Sequence, residues 1–335
     1  MNSNQFKSAI LDPSPHRRDV LRLGLAASVV AALGPRAAFA ADKKVIGFGQ
    51  PDRTANYYKG LLRGVDGRAT EYGYEVRQIF SGLNAQKQLS ELNAWLASGV
   101  DAMIVLALDA NAMGPVVKKC KEQGVLFISY AVVVEGSDGY LAFDDKDAGT
   151  VLGKHLVEFI KKNHGGKAEV GFMTFPTAQV TIDRIQSVQA VLKKELPDTP
   201  MYEAEGPNAA DGLKSTQSML QAHPDLRIII GCSDDGCLGA RSAFINNGIS
   251  DEKVFIAGFD GAPQVLELLK QKDAYIKASM GLDIERLGQR SIEIPHAIWA
   301  NPNVAKSEIE IKEPYLLLTS DTDVATIDRL LSAYR

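Results

Sequence analysis

From Val45 onward, short apolar runs alternate with stretches of a dozen or more residues in which apolar positions recur every three to four. The runs "VIGFG", "YEVRQIF", "AMIVLAL", "VLFISYAVVV" and "YLAF" come before Asp144, and "EVGFMTF", "MYEAE", "RIIIGC", "VFIAGFD" and "YIKASM" after it. They read as strands, and the stretches between them as amphipathic helices. Most runs are nearly continuous in apolar character, as expected of parallel strands covered on both faces by helices. Strands alternating with helices imply right-handed βαβ units and an α/β, doubly wound parallel sheet. Ten strands before Gly281 are too many for one small sheet, and they divide evenly near "AFDDKDAG" at 142–149. The pattern therefore predicts two doubly wound parallel-sheet lobes with a cleft between them. A helix at "LDIERLGQRSIEIPHAIWA" and an extended stretch at "SEIEIKEPYLLLTSDT" remain after both lobes are complete. They imply a chain that crosses back and forth.

The first forty residues follow a different pattern. Arg17 and Arg18 precede an apolar run from Leu21 to Leu33, and "RAAFA" offers small residues at Ala38 and Ala40. A charged segment, a short apolar segment and an A-x-A site make 1–40 a predicted signal peptide, removed on export to the periplasm. "HRRDVLR" resembles a twin-arginine export signal, with Val20 where Phe is commoner. The run is shorter than the ~18 residues of a membrane span, and no cysteine stands at the cut to carry a lipid. No membrane anchor is expected.

Net charge is −4. The export segment carries more basic than acidic residues, so its loss makes the chain more acidic still. A basic nucleic-acid binder is excluded, and an anionic membrane surface is a poor partner. His155, His164, His223 and His296 are scattered, and no Cys/His pair has zinc spacing, so no metal or cofactor is expected. Cys120, Cys232 and Cys237 read as small buried residues, with a Cys232–Cys237 bridge left open. "GCSDDG" lacks the spacing of a nucleophile elbow, and no glycine-rich dinucleotide or phosphate loop follows the first strand. Catalysis is not expected.

Polar groups gather where the predicted strands end. Gln50, Asp52 and Arg53 follow the first strand, with Asn56, Tyr57 and Tyr58 just beyond. Asp109 follows "VLAL", Ser233, Asp234 and Asp235 follow "RIIIGC", and Asp260 ends "VFIAGFD". In open α/β sheets ligands bind outside the carboxyl ends of strands, where loops and helix N-termini converge.

"HPDLRIIIGCSDDGCLGARSAFINNG" followed by "VFIAGFDGAPQVLELL" resembles the periplasmic sugar-binding proteins of the ribose-binding type. "ELNAWLASGVDAMIVLALDANAM" and "DRIQSVQAVL" fit the same family, and the likeness spans 45–320. It implies two lobes joined by three crossings, near 143–145, 280–283 and 310–315, that close on a small sugar or polyol. It also implies delivery of that ligand to the membrane subunits of an ATP-driven (ABC) importer. The lobes would be 41–143 with 281–312, and 144–280 with 313–335, in a monomer. A sensing role, presenting a signal molecule or nucleoside to a chemoreceptor or sensor kinase, is the alternative reading.

The resemblance also places ligand groups. Tyr57 and Tyr58 match an aromatic pair that packs on the faces of a sugar ring. Arg184 matches an arginine that forks to ligand oxygens; a salt bridge with Asp183 or Glu195 is the bland alternative. Asp260 matches an aspartate that accepts from hydroxyls, against an alternative as a helix N-cap. Asp145, Asn208 and Ser233 stand at or beside contact positions, with ligand and structural roles both open. Asp109 and Asp144 read as structural. Ala131-Val132 stands where the family often carries an Asp-Arg pair, Met280 where Gln is frequent and Ser233 where Asn is common. Ribose itself is therefore a poor candidate. Either the ligand carries fewer hydroxyls, or Asp52 and Arg53 replace the lost pair.

Overall fold

The computed structural model describes residues 43–50, 56–249 and 252–334, with backbone alone for 56 and 57. The predicted export segment, Asp52, Arg53 and the Tyr57 side chain lie outside the described residues.

The strand-then-helix rhythm runs β1 (Val45–Gln50), α1 (Asn56–Tyr72), β2 (Glu75–Phe80), α2 (Ala85–Ser98), β3 (Ala102–Val105), α3 (Gly114–Gln123), β4 (Leu126–Tyr130) and β5 (Gly139–Phe143). It continues as α4 (Asp145–Asn163), β6 (Val170–Thr174), α5 (Gln179–Glu195), β7 (Met201–Glu205), α6 (Ala209–Ala222) and β8 (Ile228–Gly231). Then come α7 (Asp234–Asn246), β9 (Phe255–Asp260), α8 (Pro263–Lys270) and β10 (Ile276–Gly281). The remainder forms α9 (Ile284–Ala300), a short α10 (Lys306–Ile309), β11 (Glu310–Glu313), β12 (Leu316–Thr319) and α11 (Val324–Ser332).

The strands form two six-stranded sheets, ordered β11-β5-β4-β3-β1-β2 and β12-β10-β9-β8-β6-β7. Among the described residues every pairing is parallel except β10 with β12. Central β3 and β8 are buried along their whole length, which explains their unbroken apolar runs. The polar runs β2 and β7 each form one edge of a sheet, where one side meets solvent; β11 and β12 form the opposite edges.

The chain passes between the sheets between β5 and α4, between β10 and α9, and between β11 and β12. The stretch expected as one extended segment is thus cut at Pro314-Tyr315, and its halves join different sheets. Helix α11 was not anticipated. Asp323 caps it and Ile327, Leu330 and Leu331 are its buried face.

One apolar cluster runs from Ile46 and Phe48 of β1 through Leu282 and Tyr315 to Phe172, Ile230 and Phe259 of the second sheet. Helices cross closely where glycine replaces a side chain. A Cβ on Gly64 would lie 1.9 Å from the Glu285 carbonyl oxygen of α9, and one on Gly149 would lie 2.3 Å from the Arg184 carbonyl oxygen of α5. The second crossing brings α4 against the helix that carries Arg184.

Candidate functional site

Arg184 lies on α5, buried, at the carboxyl-end side of the second sheet, and its guanidinium is tied on three sides. Nε donates to Asp145 Oδ1 at 2.9 Å. Nη1 donates to the Cys232 carbonyl at 3.0 Å and to Asp260 Oδ1 at 2.8 Å. Nη2 donates to the Tyr315 hydroxyl at 2.8 Å, and that hydroxyl donates to Asp145 Oδ1 at 2.8 Å. The rings of Phe259 and Tyr315 lie 5.1 and 5.5 Å from Cζ, within cation–π range. Removing a guanidinium from water costs several kcal/mol unless it is paired and hydrogen-bonded. Here two carboxylates, a phenol and a carbonyl offset that cost. Burial alone would lower the Arg184 pKa, but Asp260, Tyr315 and Asp145 together raise it above the ordinary arginine value. Burial raises the Tyr315 phenol, so it remains a donor.

Asp260 ends β9 with φ +109°, and Gly261 follows at φ +67°. A side chain rarely adopts the first of these, so the turn needs external ties. Asp234 supplies them. This fully buried carboxylate accepts from Ala262 N at 2.8 Å and from Ser279 Oγ, while Ser279 Oγ accepts from Gly261 N at 3.2 Å. Burial, with Asp260 nearby, raises the Asp234 pKa well above the carboxylate norm. Asp260 itself is half exposed, and its Oδ2 takes no bond among the described residues. It is not the cap of α8, whose N-cap position is Ala262.

Of the residues singled out in the sequence, the structure brings together Arg184, Asp260 and Asp145. Neither Asp183 nor Glu195 pairs with Arg184; they face Lys146 and Lys161 instead. Ser233 caps α7, accepting from Gly236 N while donating to the Pro207 carbonyl at 2.7 Å. Asn208 is exposed and caps α6 through Asp211 N. Both sit at strand-end turns, but their side chains are occupied by local structure. Asp109 accepts from Asn111 N and Ala112 N, and Asp144 caps α4, as structural roles require. Tyr58, in the first turns of α1, packs against the main apolar cluster. Met280 is fully buried. The three cysteines are free, so Cys232 and Cys237 are not bridged.

Tyr315 escaped sequence reasoning altogether, while Asp234 and Gln50 were visible at strand ends without the surroundings the fold gives them. Tyr315 arrives from the third passage between sheets, signalled only by a lone aromatic in "KEPYLLL". Asp234 was visible as a strand-end acid, but its pairing with Ser279 of β10, two places from β8 in the sheet, was not. Gln50 is fully buried at the end of β1, and neither amide atom has a partner among the described residues. Among the described residues no cluster of His, Cys, Asp or Glu is arranged for a metal, and no helix is long and apolar enough to cross a membrane.

Two doubly wound sheets, three passages between them and polar groups gathered at the strand ends define a two-lobe solute-binding protein. Residues 46–301 match the periplasmic binding protein domain family, and the chain belongs to that family. Its members bind solutes and are not enzymes. The ribose import binding protein RbsB of Bacillus subtilis (strain 168) is 24% identical over 270 residues, covering 79% of this chain and 86% of that protein. A xylitol-binding protein of Mycolicibacterium smegmatis is 25% identical, covering 69% and 66%. Among solved structures, a periplasmic ribose ABC transporter protein from Conexibacter woesei superposes with a TM-score of 0.75 at 19% identity, covering 87% of this chain and 95% of that one. A galactofuranose binding protein superposes with a TM-score of 0.71 at 17% identity, covering 87% and 100%.

Proposed function

We propose that the chain is a periplasmic receptor that captures a small neutral sugar or polyol by closing two lobes, and delivers it to an ATP-driven importer. The observation that carries this reading is the Arg184 cage. Among the described residues four bonds engage four of the five guanidinium donors, leaving one N–H on Nη2. Two carboxylates face one guanidinium, so negative charge is in excess. Asp260 Oδ2, which takes no bond among the described residues, can accept from a hydroxyl and would repel an anion, which favours a neutral, hydroxyl-bearing ligand. The ribose and xylitol relatives support the same class.

Strand ends of the first sheet have a different character. Past β4 come Ala131 (φ +61°), then Val132 and Val133, 40% and 50% exposed. Hydrocarbon there suits a ligand edge with few hydroxyls, because a hydroxyl facing it loses its water without gaining a partner. Tyr57 and Tyr58 would pack on the ligand's face, with Asp52 and Arg53 beside them. We take the lobes as 41–143 with 281–312, and 144–280 with 313–335; sheet membership of the strands supports this division. Export through the segment 1–40, in a twin-arginine manner, completes the reading.

A thermal-shift screen of the mature chain against sugars, polyols and deoxysugars tests it. A ligand at a hundred times its Kd adds about 2.7 kcal/mol of stability. Asp260→Ala, at a half-exposed position, is expected to weaken the hit by about ten- to a hundredfold, the loss of one charged hydrogen bond. No hit in any class, or an unchanged affinity in Asp260→Ala, overturns the proposal.

A further inference from the structure

Helix α11 belongs to the second lobe by its packing. Ile327, Leu330 and Leu331 share a core with Leu266 and Leu269 of α8 and with Leu318 of β12. Asp328 also pairs with Lys270 of α8. Yet the segment 329–334 reaches the other lobe at several points. Arg329 pairs with Asp283, which caps α9. Arg63 of α1 donates through Nη1 to the Ser332 carbonyl at 2.6 Å. Gly60, one turn before Arg63, lies so close that an added Cβ would sit 2.5 Å from the Ala333 carbonyl oxygen. Tyr334 packs against the apolar cluster that runs through both lobes and against that of the second, and within the second lobe its hydroxyl donates to the Gly261 carbonyl at 3.3 Å.

These contacts tie two parts of the cleft to each other. Helix α1 carries Tyr58 two residues before Gly60, and Gly261 adjoins Asp260. We propose that Arg63 and Tyr334 are positioning residues for ligand capture: the segment 329–334 is a clasp that holds α1 against the 260–261 turn and so sets ligand affinity from outside the ligand's own contacts. The proposal rests on the cleft reading given above. Its physical basis is population: when a competent arrangement is only partly occupied, apparent affinity falls by that fraction. A clasp that favours the approached lobes removes that penalty, and its loss restores it.

The test uses Arg63→Ala, Arg63→Lys, Tyr334→Phe and Gly60→Ala in the mature chain. Arg63→Ala with Tyr334→Phe together should weaken binding about tenfold, as two ordinary hydrogen bonds would. The change should fall mainly on the dissociation rate, and Arg63→Lys should recover part of it. Gly60→Ala is the sharper variant: it raises helix propensity yet forces the clasp apart, so affinity should fall while α1 remains helical. Two readouts need no ligand. Small-angle scattering of the free protein should show a larger radius of gyration in the double variant. Hydrogen exchange should quicken at the start of α1 and at 260–263, with both sheet cores unchanged. Free-protein scattering and exchange identical to the parent would overturn the clasp, whether or not any sugar binds. If no screened sugar binds the parent but scattering and exchange shift as expected, the clasp stands and the ligand reading falls.

Discussion

Gly149→Ala should loosen the candidate site without touching it. The added Cβ would lie 2.3 Å from the Arg184 carbonyl oxygen and 2.7 Å from Ser187 Cβ. Ordinary contact begins near 3.4 Å, so α4 and α5 would have to separate by roughly 1.1 Å. The first obstacle is backbone, which cannot swing aside. The Arg184 Nε to Asp145 Oδ1 bond is 2.9 Å, and half that separation carries it to the limit of a hydrogen bond. Overpacking of this kind costs ~1–3 kcal/mol, and a lost charged hydrogen bond adds ~1.5–3 kcal/mol. Alanine's better helix propensity returns only ~1 kcal/mol. The net expectation is a loss of about 1.5–5 kcal/mol in denaturant unfolding. Ligand affinity measured by calorimetry should fall about tenfold or more. Gly67→Ala is the control: it lies on α1, and nothing stands within 4 Å of its would-be Cβ. It should leave stability unchanged or raise it by up to ~1 kcal/mol. If Gly149→Ala behaves like Gly67→Ala, the close crossing does not hold Arg184 in place and the reasoning fails.

Tyr315→Phe removes the hydroxyl that links Arg184 to Asp145. It should cost ~1–3 kcal/mol of stability and weaken the ligand severalfold; equal melting temperature and equal affinity would show that the phenol is a bystander. Asp234 has a folded pKa raised by burial, so the native state binds a proton that the unfolded chain releases near pH 4. Stability contributed by protonated Asp234 is therefore lost as pH rises from about 4 toward the folded value. Asp234→Asn should show a shallower fall over that range, and parallel stability–pH curves would refute this. Cys120 and Cys232 are buried, and burial pushes both thiols up to about 11. A thiol reagent at neutral pH should label the native chain only as fast as it opens, and rapid labelling of the folded protein would contradict the burial.

The alternation of runs and helices was legible because parallel strands buried on both faces write their burial directly into composition. Strand-end acids were legible for the same reason: polar residues interrupt apolar runs only where the sheet stops. What escaped are meetings across the chain. Tyr315 contacts Asp145 across 170 positions and Arg184 across 131. No local pattern encodes that; it follows from the third passage, which turns at Pro314-Tyr315 between β11 and β12. Asp234 looked like any acid after a strand until Ser279, on a strand two places away in the sheet, proved to be its partner. Helix α11 escaped because nine residues with a narrow apolar stripe read as weakly as a surface turn when its packing partner, α8, is unknown.

The two halves of the cleft therefore differ in how much of their work is finished before a ligand arrives. Arg184 is fixed by four bonds, and Asp260 by a turn that Asp234 and Ser279 hold in an unfavourable backbone conformation. A free arginine gives up ~2 kcal/mol of rotamer entropy when it is ordered, a cost already met here by folding. On the first lobe the described strand ends offer hydrocarbon at Ala131 to Val133 and a buried, unpartnered amide at Gln50. A neutral polyol would then meet preset donors and acceptors on the second lobe first, and specificity would be decided as the first lobe comes to cover it. Affinity in such a design depends on how readily the lobes approach as well as on the contacts made. That is why residues on the clasp, outside the ligand's own contacts, belong in the same account as Arg184.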